Sequence, residues 1–432
     1  MISESIETKI MNCVDKEFLI SHAMDLVNIP SPTGKEADIA LFLKEIYEDL
    51  GLMTIIQEVE ENRYNVIGTL KGKDVGPTLM FNGHLDTSFT GDEELFKDVQ
   101  AFKPKAYIED GWIYGLGIYN MKGALAAYTA AVKAIIESNI ELKGDIVIAG
   151  VVGEIETAPV NQYQGPQYRG YGRGTHYLVT HGITADMCIL GEPTSSQVVL
   201  GHFGTSWVKL HIKGDLYHTA FSRGKDNAIL QMKEFINYIE DWIQQYEKMN
   251  KYKSRLPEVN IASIEGGWPW RASRTPGFCN LYLDVRFPPS YNPIFVKREL
   301  ERVVEKFKIN NPSVEIEVDL YVTVPGAEIS SNEYLVKSIE STHRKVYGKS
   351  PNYYVESWTS DAATLTKYGV VAVNYGPSGP VRDMTKSEEL PAFSTKLGEH
   401  LDINDLFNIT KSYALIATDI CAKTIEELGI KR

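Results

Sequence analysis

No uninterrupted apolar stretch in this sequence reaches the roughly 18 residues that a membrane-crossing helix needs, so no membrane partner is expected. Cysteine is scarce: Cys13, Cys188, Cys279 and Cys421 are scattered through 432 residues with no CxxC pair. That spacing excludes a zinc ribbon and a disulfide framework and reads as reduced thiols. Basic charge is in deficit, with 44 Lys and Arg against 57 Asp and Glu and a net charge of -13. No basic tract stands ready to neutralise phosphates, so nucleic acid is excluded as an expected partner. Met1 to Asp15 is polar and mixed in charge rather than basic and then apolar, which argues against an export signal and for a cytoplasmic setting. Internal repeats and low-complexity segments are missing as well. What is present is 43% hydrophobic residues, enough for full-sized cores. At about 150 residues per domain, the length implies two to three of them.

Apolar residues recur at three- and four-residue intervals from Lys16 to Ile29 and from Ala37 to Leu50, predicting amphipathic helices. The breaker cluster Pro30-Ser31-Pro32-Thr33-Gly34 separates them as a loop. Short β-type runs follow at Val66–Leu70 and Thr78–Asn82, then a helix over Met121–Ser138 and a buried strand over Asp145–Val152. This alternation predicts an α/β fold whose mainly parallel sheet is flanked by helices on both faces. Strand patterns at 206–213, 259–265, 280–287 and 314–322, with helices over 226–245 and 293–308, spell a ferredoxin-like β-α-β-β-α-β unit. Helix and strand signals resume at 332–347, 370–374 and 403–428. The domains expected are therefore 1–204 with 321–432, and an inserted domain over 205–320. Thr157 to Gly174 is rich in glycine and tyrosine without helical or strand period, and reads either as a surface insertion or as a loop that shapes a site.

Polar groups cluster at predicted strand ends, where ligands of open α/β sheets bind. His84 and Asp86 follow one buried strand, and a carboxylate two residues on can accept the second N–H of a metal-bound imidazole. Glu154 and Glu156 leave another strand, Glu192 a third, and His400 precedes the last helix. Asn120 opens a helix within Gly115–Gly123, a glycine-rich stretch lacking both the Walker ending and the Rossmann spacing, so nucleotide binding is not expected there. Each of these alone is a solvated strand end, but several converging on one edge supply what a divalent cation requires.

The order of motifs resembles the M20 family of metallo-aminoacylases and peptidases over essentially the whole length. The resemblance is carried by Ile29–Glu36, His84/Asp86, Met121-Lys122-Gly123, Gly191-Glu192-Pro193-Thr194, Gly214 to His218 with Asn227-Ala228-Ile229, Asp284-Val285-Arg286, Ser360-Asp361-Ala362, Gly376-Pro377, and His400 with Asp405. It implies a zinc-exopeptidase-like catalytic domain with a lid and dimerisation domain inserted. It further implies divalent metal, zinc first with manganese or cobalt as alternatives, as a pair of ions in the family pattern. By the resemblance His84 and Glu192 match one metal site and His400 the other, Asp86 orients His84, and Glu154 or its neighbour is the general base. His218 matches an oxyanion donor that reaches across a dimer, and Arg286 and Asn280 match substrate-carboxylate residues. As a strand residue, Arg286 could equally pair with Asp284.

Two positions depart from the family pattern. Asn120 stands where a bridging Asp belongs, and its one neutral oxygen cannot cancel charge between two cations. Glu154-Ile155-Glu156 replaces adjacent glutamates, so Ile155 falls on a ligand position unless a bulge brings Glu156 into use. One ion, two ions with altered ligands, and none are all consistent with these residues. The function expected is metal-dependent hydrolysis of an amide bond in a small carboxylate-bearing substrate, such as an N-acyl amino acid or short peptide, acting as a homodimer. The alternatives are hydrolysis of a non-acyl C–N bond, as in an aromatic amine or amidine, and a ligand-binding homologue without catalysis.

Overall fold

The computed structural model describes residues 3–377 and 398–430. They form two compact units: one takes in the chain up to Leu200 with Ile329–Tyr354 and Ser360 onward, the other Gly201–Glu328 with Val355–Thr359. The boundary expected after residue 320 falls inside a strand, Ile316–Val324, and the inserted unit runs on past it.

The first unit is built on a sheet whose order is Met53–Glu60, Arg63–Leu70, Ile146–Val151, Leu79–His84, Met187–Leu190, Val371–Asn374 and Val198–His202. Pairing among the four strands Ile146–Val151, Leu79–His84, Met187–Leu190 and Val371–Asn374 is parallel, and the flanking pairings are antiparallel. Both faces are covered, because successive side chains of a strand point to opposite sides. Phe81 and Ile148 enter a core with the helices Lys16–Asn28, Ala37–Asp49, Gly123–Glu137 and Ile403–Cys421. Met80, Val147 and Ala149 enter a second with Arg173–Thr180 and Ala362–Lys367.

Two local expectations are corrected and one short strand is added. The helix read from Met121 begins at Gly123, behind a wide turn Ile118–Lys122 with non-helical backbone at Asn120 and Met121. The closing helix stops at Cys421 rather than Leu428. His400 does precede the last helix, and it lies in a short strand, His400–Asp402, that joins Trp112–Tyr114 and Tyr107–Glu109 in a small antiparallel sheet.

The second unit is the expected ferredoxin-like arrangement. Its antiparallel sheet runs Val259–Gly266, Phe278–Phe287, Gly204–Lys213, Ile316–Val324, and the helices Ala228–Met249 and Ile294–Asn310 pack on one apolar face. No helix among the described residues is long and apolar enough to cross a membrane.

Candidate metal centre

Three neighbouring parallel strands end together, and each delivers one donor. Leu79–His84 is the middle strand, ending in His84; Ile146–Val151 on one side leads to Glu154, and Met187–Leu190 on the other leads to Glu192. One ligand atom from each of His84, Glu154 and Glu192 lies within 4.8 Å of the other two. Asn120 joins them from the wide turn, its Oδ1 3.0 Å from His84 Nε2, while Glu154 Oε2 is 3.9 Å from the same nitrogen.

Asp86 organises this group differently from the sequence expectation. His84 Nδ1 contacts the main-chain oxygen of Asp86 at 2.8 Å, while the nearest carboxylate oxygen is 3.7 Å away. A carbonyl can only accept, so Nδ1 carries the proton in that contact and Nε2 is left facing the carboxylates. The Asp86 carboxylate instead accepts the N–H groups of Glu154 (3.1 Å) and Ile155 (3.2 Å) and the Thr33 hydroxyl (2.8 Å). It therefore fixes the turn that carries Glu154. The breaker cluster closes against the same segment, with Ser31 Oγ donating to the Leu85 carbonyl at 2.7 Å.

Glu192 is held as tightly. A Cβ on Gly376 would lie 2.2 Å from the Glu192 carbonyl oxygen, so only glycine lets these segments approach. The loop beyond is tied down by Ser196, whose hydroxyl reaches both carboxylate oxygens of Asp405 at 2.8 and 2.7 Å. A further carboxylate, Asp361, accepts from Thr175 Oγ1 at 2.5 Å, and Thr175 accepts in turn from Asn82 on the His84 strand at 3.1 Å.

Burial and neighbouring carboxylates hold the acids of this group above their ordinary range, which favours a positive charge beside them. Burial pushes the Glu192 carboxyl up to about 7 against the opposing pull of His84, with Asp361, Glu156 and Asp86 adding to the rise. Burial, then Glu192 and Asp361, hold Glu154 well above the carboxylate range, and burial lifts Asp361 to about 6. Burial alone lowers the His84 imidazole, but Glu192 and Asp86 outweigh it and its pKa is raised. One imidazole nitrogen with its tautomer fixed, the Glu192 carboxylate and an amide oxygen form a donor set that suits a divalent cation, with the Glu154 carboxylate beside it.

The remaining predicted residues have contacts of their own. His400 stacks on Tyr114, ring centroids 5.2 Å apart, with the edge of Trp112 against it. Glu156 is exposed and the Ile155 side chain is buried. Neither His400 nor Glu156 joins the His84 group. In the second unit Arg286 donates through Nε and Nη2 to Asp284 Oδ2 at 3.1 and 2.7 Å. Asn280 is buried with its Oδ1 2.7 Å from His211 Nδ1. His218 accepts the Ala220 N–H at 3.2 Å at the start of a short turn.

Sequence reasoning missed Arg63, which is fully buried. Its Nε and Nη2 reach Glu36 at 2.9 and 2.6 Å, and Nη1 reaches Glu60 at 3.0 Å and the Arg169 carbonyl at 2.9 Å. The glycine- and tyrosine-rich segment is thereby clamped beside Glu154: Gly170 and Tyr171 pack on Ile155, and the Tyr171 N–H donates to its carbonyl at 3.2 Å. The segment thus packs against the turn that carries Glu154, while residues 161–164 are exposed. Nothing in residue type distinguished Arg63 from a surface arginine.

A strand-end metal site on a helix-flanked parallel sheet, with a ferredoxin-like unit inserted, is the architecture of a two-unit metallohydrolase. The chain belongs to peptidase family M20/M25/M40, whose family model matches residues 80–417. It is similar to an N-formyl-4-amino-5-aminomethyl-2-methylpyrimidine deformylase of Halalkalibacterium halodurans, 24% identical and covering 98% of this chain and 99% of the relative. It is also 25% identical to a succinyl-diaminopimelate desuccinylase of Hahella chejuensis, covering 82% of this chain and 88% of that one. Among solved structures a tripeptidase from Staphylococcus aureus shares the fold, with a TM-score of 0.72 at 20% identity over 95% of this chain and all of that one. The chain is a hydrolase of amide C–N bonds. Neither the non-acyl C–N reading nor the loss of catalysis is favoured by these relatives.

Proposed function

We propose that the substrate is a small carboxylate-bearing amide, an N-acyl amino acid or short peptide, and that His84, Glu192 and Asn120 hold the divalent cation, zinc in the first instance. The observation that carries this is the convergence of His84, Glu154 and Glu192 at three adjacent strand ends. When bound, such a cation supplies Lewis acidity that polarises the amide carbonyl and acidifies water.

Glu154 is the general base. Its carboxylate lies 3.9 Å from His84 Nε2, beside the proposed cation position and within reach of a water bound at the site. Its raised pKa makes it a stronger proton acceptor than an exposed glutamate. It takes the water's proton on Oε and passes it to the leaving nitrogen as the C–N bond breaks. In the same reading Arg286 and Asn280 bind the substrate carboxylate, a task that suits the fork of a guanidinium. His218 donates a hydrogen bond to the developing oxyanion from a partner protomer. The enzyme is a homodimer through the second unit and works in the cytoplasm, a reducing setting that its four unpaired cysteines fit.

Purified enzyme assayed against N-acyl amino acids and dipeptides, with released amine as readout, tests this. Glu154→Gln is expected to lower kcat by about 100- to 10,000-fold with bound metal retained. Turnover that survives the substitution removes Glu154 from this role.

A further inference from the structure

We infer that each chain holds a single divalent cation, where the family resemblance implied a pair. This rests on the cation site proposed above and adds its stoichiometry.

Two cations held side by side repel each other, and a carboxylate shared between them, as the resemblance implies, would offset that repulsion with its charge. Asn120 occupies the equivalent position with a neutral carboxamide, and its Oδ1 is already directed at His84 Nε2 at 3.0 Å. It supplies one ligand to one ion.

The remaining ligands of a second ion are not assembled either. Ile155, which follows Glu154, has an apolar side chain that is buried, and its N–H is committed to Asp86 Oδ2 at 3.2 Å. Glu156 lies beyond the end of the strand Ile146–Val151 and is exposed. His400 sits in the small antiparallel sheet, opposite Tyr114 in register and stacked on its ring. Among the described residues, the only group of three or more His, Cys, Asp and Glu side chains with metal-ligand spacing is His84, Glu154 and Glu192.

The Asn120 turn is nonetheless firmly supported. The Glu399 carboxylate accepts the N–H groups of Tyr119 and Asn120, each at 3.2 Å. Buried Lys122 donates to the Ile29 carbonyl at 2.7 Å. The turn is thus held to present one amide oxygen to one site.

The test uses full-length protein stripped with chelator and titrated with manganous chloride, the metal alone being the probe. Elemental analysis after equilibrium dialysis is expected to give one Mn per chain, with the electron paramagnetic resonance spectrum of an isolated ion. His84→Ala is expected to weaken Mn binding by at least about 100-fold, beyond what loss of an outer partner of a ligand costs. His400→Ala is expected to leave affinity and stoichiometry unchanged. Two Mn per chain, an exchange-coupled spectrum, or a fall from two ions to one in His400→Ala overturns the single-ion inference while leaving the hydrolase reading intact. No Mn bound by the wild-type chain overturns both.

Discussion

At the scale of single residues, the centre depends on buried charges whose partners come from distant parts of the chain. Arg63 is the clearest: its guanidinium joins Glu36, Glu60 and the Arg169 carbonyl, three segments that meet only in the folded unit. Removing one member of a buried pair strands the other without water or counter-charge. Arg63→Leu is therefore expected to destabilise the first unit by about 3–5 kcal/mol, leaving Glu36 unpaired. Denaturant unfolding followed by a probe in that unit checks this, and a loss below about 1 kcal/mol, the worth of an exposed pair, would contradict the account. His84 and Glu192 were legible because strand-end position follows from local pattern. The hydrogen bonds that place them were not, since the N–H groups of Glu154 and Ile155 become donors to Asp86 only once two strands are adjacent.

At the scale of elements, helical periodicity is a property of a dozen neighbouring residues, and the helices read from it form with small shifts at their ends. Lys16–Asn28 illustrates what its apolar face contains: His22 is buried between the rings of Phe18 and Phe42, at 5.5 and 5.9 Å, and Nε2 has no hydrogen-bond partner. Burial lowers its pKa from 6.5 to about 4. A histidine with a depressed folded pKa takes up a proton more readily when unfolded. Its contribution is therefore intact above about 6.5 and is lost as pH falls toward 4. His22→Phe keeps the stacked ring and removes the proton site. Its stability relative to wild type is expected to rise by about 2 kcal/mol between pH 7.5 and pH 5, measured by denaturant unfolding at both. A difference that does not change with pH would mean that His22 does not titrate in this window. The small sheet holding His400 escaped notice because three-residue strands carry too few positions to show alternation.

At the scale of the whole molecule, two units with separate cores divide the work, and the second presents apolar surface that a lone chain leaves in water. Val259–Gly266 is an edge strand, and Ile264, Trp270, Leu216 and Ile229 nearby are 54%, 75%, 53% and 42% exposed. Exposed edges and apolar patches of this kind mark interaction surfaces, which supports the proposed homodimer. Ile264→Lys with Trp270→Asp is expected to convert a dimer to a monomer by light scattering at micromolar concentration. A wild-type chain that is already monomeric, or a double variant that stays dimeric, would count against this surface. The inserted unit's order of strands and helices was readable; its end was not, because Ile316–Val324 reads as one strand from either side of a boundary at 320.

The sequence by itself determined the class of fold and a set of candidate donors, and the resemblance marked the two departures at Asn120 and Ile155, because strand and helix periods and motif order are local and residue chemistry is carried letter by letter. Only the tertiary structure decided which donors meet. Parallel neighbours in a sheet come from distant parts of the chain, and it is their order that brings His84, Glu154 and Glu192 together. The same folding placed His400 against Tyr114, clamped the glycine- and tyrosine-rich loop on Arg63, and turned Asp86 from a partner of the imidazole into the anchor of the Glu154 turn.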